Sequence, residues 1–143
     1  MSKMYIEGLD KLIAKLETMG QAGSKAANKS LKKAGQIIVE QQRLDGPRHK
    51  GGPANGKTKH GADALQVGRI RTSKSKNKYV QIGITNAQVW ELSKGVYFQH
   101  HGFYNHVSKK YIAGSQWVDK SFEKAKSKAA AVLISALEKE LNL

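Results

Sequence analysis

The sequence predicts an α+β fold: an antiparallel sheet of three to four strands covered by helices, with a long C-terminal helix packed on the sheet. Three observations point to it. An apolar stripe at helical spacing runs from Val118 to Leu141, apolar side chains alternate strictly from Tyr79 to Thr85, and the strand-like segments are joined by links of hairpin length. A parallel nucleotide-binding sheet needs a crossover helix between successive strands, and that order is absent.

Taken in order, the first element is a helix over Gly8 to Met19, where Leu9, Leu12, Ile13, Leu16 and Met19 share one face. Gly20 and Gly23 break the pattern. A second helix is expected from Ser24, a suitable N-cap, to about Leu44, on a thin stripe of Ala27, Leu31, Ala34, Ile38 and Val39. Small residues on that stripe let another element approach closely. Lys25, Lys29 and Lys33 recur every four residues and suit a solvated face.

From Asp45 to Asp63 periodicity disappears. The stretch DGPRHKGGPANGKTKHGAD holds both prolines, four bases and no large apolar residue. It cannot bury enough to order itself, which predicts a mobile loop over 45–63.

Strands follow. In Tyr79–Thr85, Val80, Ile82 and Ile84 share a face. In Leu65–Thr72 the parity of Leu65 and Val67 differs from that of Ile70, so a bulge at Gly68 would turn all three inward and Arg69 and Arg71 outward. SKSKNK, Ser73 to Lys78, is the polar hairpin tip. A third strand region is expected over Val89–His100, on Trp90, Leu92, Val96 and Phe98, folded at Ser93-Lys94-Gly95. The last helix, Ser115 to Leu141, places Phe122 mid-stripe, expected to pack on Val80, Ile82 and Ile84. Lys120, Lys124 and Lys128 fall on its other side.

A length of 143 residues fits one domain, 1–143. The absence of cysteine excludes a disulfide framework, a thiolate zinc site and a cysteine nucleophile. No apolar run approaches a bilayer span, and Met1–Leu12 lacks the continuous apolar stretch of a secretory signal. A soluble protein of the reducing cytosol is expected, with no membrane partner. The net charge of +14 is uneven: residues 46–118 carry a balance of +10 and the flanks only +4. Such a surface attracts nucleic acid or an acidic partner without any sequence code.

Two stretches imitate chemistry. Gly51, Gly56, Lys57 and Thr58 satisfy the phosphate-binding pattern in GGPANGKT, whose backbone N–H groups would cradle phosphates with Lys57 on the terminal ones. That chemistry needs a buried strand before Gly51 and a helix opening at Lys57. RLDGPRHK precedes it and Gly61 follows, so the match reads as coincidence. His100, His101 and His106 cluster near Tyr97, Tyr104 and Lys109, and histidine with lysine suits RNA cleavage. A metal needs three or four ligands, and Glu91 is the only acid between Asp63 and Asp119. On a strand His100 and His101 would also point to opposite faces. No Ser-His-Asp order or carboxylate pair is present, and no catalytic, cofactor-binding or metal residue is assigned.

In its order of segments, the whole chain resembles the head–tail joining proteins of long-tailed bacteriophages, the gene-product-ten-like family of lambda-like phages, also described as tail-completion or neck proteins. MYIEGLDKLIAKLETMG is similar to the family's opening, and SKAANKSLKKAGQIIVEQQRLDGP to its long second helix ending in a proline. GADALQVGRIRTSKSKNKYVQIGIT is similar to its paired strands and basic turn. VYFQHHGF followed by QWVDKSFEKAKSKAAAVLISALEKEL is similar to its aromatic-to-glycine step and C-terminal helix. His100 and His101 stand where the family often has an acid, and GSQWVDKSF replaces a proline-rich helix entry.

The resemblance implies a virion structural protein of the neck, not an enzyme and without cofactors, assembled in the host cytoplasm. Its partners would be further copies of itself, in a hexameric ring assembled from free monomers. Others would be the head connector or stopper and the tail tube or tail terminator, with the exiting DNA close by. The expected assembly interface is the basic hairpin and loop: Lys57, Lys59, Arg69, Arg71, Lys74, Lys76 and Lys78. The alternative is a small basic RNA- or DNA-binding protein, with ribonuclease activity as one form of it.

Overall fold

A computed structural model describes residues 19–48, 59–75 and 77–141. The elements are α1 (Gln21–Asp45), a short 3-10 turn (Ala62–Ala64), β1 (Gln66–Thr72), β2 (Lys78–Gly83), α2 (Ala87–His101), β3 (Gly102–Asn105), β4 (Lys110–Ala113) and α3 (Trp117–Leu141). The α+β class holds, with antiparallel pairing throughout. The four strands, however, form two separate hairpins, β1–β2 and β3–β4. Except for Met19, the first predicted helix lies outside the described residues.

α1 is the centre of the molecule because two of its faces are covered. Ala26, Ala27, Ala34 and Ile38 pack against Ala125, Ala129, Leu133 and Leu137 of α3. Alanine faces alanine there, so the helices approach closely and bury area that longer side chains would have held apart. The ion pairs Lys29–Glu140 and Asp45–Lys124 join opposite ends, so the two helices run antiparallel. On another face, Gly35 admits the hairpin: a Cβ there would lie 3.3 Å from Val67 Cγ1 and 3.6 Å from Ile82 Cδ1.

The long C-terminal helix was expected on the sheet, but its main partner is α1, and the β1–β2 hairpin occupies a different face of α1. Phe122 accordingly joins the α1–α3 cluster, half-buried, together with Ile82 from the hairpin. A second cluster, Val39, Ala62, Leu65, Val96 and Trp117, with Val67, Ile82, Ile84 and Val118 packed on it, ties α2, the 3-10 turn and the β1–β2 hairpin to α1 and the start of α3. Trp117 donates its Nε1–H to the Val96 carbonyl at 2.9 Å.

Two local expectations hold closely. The β1–β2 register shifts between Val67 and Ile70, the bulge expected at Gly68, leaving Arg69 and Arg71 exposed and Val67 and Ile70 half-buried. α1 ends where Gly46 returns its N–H to the Gln42 carbonyl and Pro47 follows. Its start differs, at Gln21 after Gly20, so Ser24 lies inside the helix and does not cap it.

One expectation fails. The region Val89–His100 is a helix and not a strand. Its buried residues, Val89, Ser93, Val96 and His100, recur at helical intervals, and the Asn86 side chain caps the start by accepting from the Val89 N–H at 3.0 Å. The aromatic residues that suggested a strand sit on the other side of this helix, and Gly95 faces open space. Of the mobile loop expected over about 45–63, residues 49–58 lie outside the described residues, and the two ends are held in place. Asp45 ends α1, and Gly46 and Ala62 are buried. Arg48 clasps Asp63 with two hydrogen bonds, at 2.6 and 2.5 Å, while donating to the Arg43 carbonyl. That guanidinium holds the Asp63 carboxyl below its ordinary range, chiefly through the hydrogen bonds.

Candidate assembly interface

Two exposed surfaces stand out, and the sequence anticipated one of them. The first is the β1–β2 hairpin. Ile70 pairs with Val80 and Arg71 with Tyr79. The half-buried Val67, Val80 and Ile82 lie toward the body, and Arg69, Arg71, Tyr79 and Gln81 are exposed. The turn is closed by Ser73 donating its N–H to the Asn77 carbonyl at 2.8 Å and by Asn77 donating to Ser73 Oγ at 3.1 Å. Lys74 is exposed at this tip. Among the described residues no carboxylate lies within ion-pair distance of Arg69, Arg71 or Lys74.

Lys78 does not belong with them. Its ammonium turns back onto α1, donating to Ser24 Oγ and, at 2.9 Å, to Asn28 Oδ1. A lysine expected at the interface is therefore a strut that pins the hairpin to the helix. Lys59 is exposed, four residues before the Asp63 of the Arg48–Asp63 clasp. Lys57 and Lys76 lie outside the described residues, as does the GGPANGKT stretch, Gly51–Thr58.

The second surface escaped the sequence reading. On α2, Trp90, Tyr97 and Phe98 meet edge to face, with centroids 5.2, 6.0 and 5.7 Å apart, and Phe98 continues to Phe103 of β3 at 6.4 Å. Tyr97 and Phe98 are exposed, and so are Tyr104, Tyr111 and Ile112 on the neighbouring β3–β4 hairpin. Most exposed apolar side chains on a protein occur singly, whereas Tyr97 and Phe98 belong to a continuous group with Trp90 and Phe103. The signal available in the sequence was the spacing of Trp90, Tyr97 and Phe98, two helical turns apart.

The described histidines do not gather at one point. His100 and His101 occupy the last turn of α2, with ring centroids 4.5 Å apart. His100 is buried and accepts at Nδ1 from the Val118 N–H, whereas His101 is exposed beside Tyr97. Burial, and then the neighbouring His101, lower the pKa of His100, against a smaller opposing effect of Asp119. His106 lies apart, against Tyr104 in the β3–β4 turn. Among the described residues no three His, Asp or Glu side chains converge on a point that could hold a metal. No described helix is long and apolar enough to cross a membrane.

Comparison with protein-family models, curated proteins and solved structures finds no match to this chain.

Proposed function

We propose that this chain is a head–tail joining protein of a long-tailed bacteriophage, a ring-forming virion component on which the tail docks. The observation that carries the reading is the β1–β2 hairpin. Arg69, Arg71 and Lys74 crowd one exposed arm with no acidic partner among the described residues, while Gly35 and Lys78 hold the arm rigidly on α1. Unanswered charge on a fixed element steers docking and sets its orientation more than it adds affinity. In a ring each contact joins two different patches, and the basic arm supplies one of them. The ordered resemblance of the whole sequence to the neck proteins supports the same reading.

The test is assembly with Arg69, Arg71 and Lys74 all replaced by Glu. Lys78 is left in place because it supports the fold. Electron microscopy is expected to show filled heads and separate tails, with an unchanged circular dichroism spectrum for the isolated variant. Fully tailed, infectious particles at normal yield would overturn the assignment. If the unsubstituted chain instead binds DNA or RNA with an affinity that falls steeply with salt, and the substitutions abolish that binding, the arm belongs to a nucleic-acid-binding protein.

A further inference from the structure

We infer that the outer edge of β4 and the aromatic face of α2 form a docking site for an acidic, extended segment of a partner protein, added to β4 as a third strand. The site uses residues apart from the basic arm and stands whether or not the chain joins heads to tails.

β3–β4 is a hairpin of two four-residue strands, in register from Gly102↔Ala113 to Asn105↔Lys110. It leaves the body at the end of α2, which continues directly into β3, and Phe103 of β3 meets Phe98 of that helix. All four residues of β4 are exposed, including Tyr111 at 67% and Ile112 at 39%. Two strands alone are marginal in water, and a third strand is the usual completion. Among the described residues β3 is the only strand paired with β4, and no loop backbone bonds to it. An unpaired edge bearing exposed apolar side chains is a template for strand addition.

The register shows what an added strand would meet. Ile112 lies opposite Phe103 on the face that continues through Phe98 to Trp90. Tyr111 lies opposite Tyr104 on the other face. Apolar side chains on the incoming strand would therefore find partners on both faces. The charge selects an acidic partner. Lys94 is answered by Glu91 at 3.4 Å, but Lys109 and Lys110, at the entry to β4, have no carboxylate within reach among the described residues. A strand carrying carboxylates beside Lys110 and apolar residues beside Tyr111 and Ile112 satisfies edge, faces and charge together. A nucleic-acid strand fits less well, because the rings of Trp90, Tyr97 and Phe98 already pack edge to face, at 73–77°, and it would leave the edge N–H and C=O groups unpaired.

The probe is a short synthetic peptide with two glutamates beside a Val-Tyr-Val-Thr run, titrated into the isotopically labelled full chain and followed by NMR. Saturable shifts are expected at Lys110–Ala113 and at the Trp90 indole. Affinity is expected to fall at least about 10-fold, the equivalent of ~1.4 kcal/mol, when lysine replaces the peptide's glutamates or when Lys109 and Lys110 are both changed to Glu. N-methylation of alternate peptide amides, which leaves the protein untouched, is expected to abolish binding. The inference is overturned if the glutamate peptide produces no saturable shifts up to about 1 mM. It is equally overturned if the N-methylated or lysine peptide binds as well, or if only oligodeoxythymidine shifts these residues. A β1–β2 variant that fails to join heads and tails leaves the peptide result unaffected, so the two readings fail separately.

Discussion

His100 Nδ1 accepts a hydrogen bond from the backbone N–H of Val118 at 3.2 Å, so the last turn of α2 caps the first turn of α3. The first N–H groups of a helix have no partner within it, and at this end a buried imidazole supplies one.

That bond requires a neutral ring. Protonation removes the acceptor and sets a cation against the positive end of the helix dipole. The folded pKa of His100 lies below its ordinary 6.5, so in the interval between the two values the unfolded chain binds the extra proton. Its contribution is fully present above pH 6.5 and is lost as pH falls through the lowered folded value. Urea melts from pH 8 to pH 5 should show stability declining toward acid. The decline should be shallower in His100→Gln, which cannot titrate.

Trp117 is expected to be the costliest side chain to truncate. It is buried in the second cluster and its indole N–H is committed to Val96. Trp117→Ala should cost about 3–5 kcal/mol and Trp117→Phe, which keeps a ring but loses the bond, about 1–3 kcal/mol. Chemical denaturation followed by circular dichroism separates them. Equal midpoints for the two variants would mean that ring volume contributes nothing at this site.

Gly114 should tolerate no side chain. A Cβ there would stand 2.1 Å from the His100 carbonyl oxygen and 2.7 Å from the Gly102 backbone nitrogen, and neither can swing aside as a side-chain tip would. Gly114→Ala is expected to destabilise by about 3 kcal/mol or more, at the upper end of overpacking effects. Gly95→Ala, which meets open space on a helix, should instead be neutral or slightly stabilising. Thermal melts of the pair test the contrast.

Lys74 and Lys78 look alike in the sequence and should behave differently. Lys74→Ala at the exposed tip is expected to change stability by less than about 0.5 kcal/mol. Lys78→Ala removes charge-assisted bonds to Ser24 and Asn28 and should cost about 1.5–3 kcal/mol, toward the lower figure for a half-buried group. Hydrogen exchange should report faster opening of β2 in Lys78→Ala.

The α+β class, the two long amphipathic helices, the β1–β2 hairpin and the bulge at Gly68 were all legible in the sequence. Each is written in local spacing: stripes at helical period, alternation at period two, and a parity change across one glycine. Residues 87–101 were not legible, because Trp90, Tyr97 and Phe98 favour strands intrinsically, whereas Val89, Ser93, Val96 and His100 bury one helical face against the rest of the protein. Tertiary structure alone placed α3 on α1 and the hairpin on another face of α1, since an amphipathic stripe specifies that a face is covered and not what covers it. It also separated Lys78 from Lys74, and joined Trp90, Tyr97 and Phe98 of α2 to Phe103 of β3 in one continuous group. A charge shows in the sequence wherever it falls, but its partner depends on which distant segment folds beside it. Ser24 and Asn28 reach Lys78 across 54 and 50 residues of sequence, and local spacing does not encode that contact.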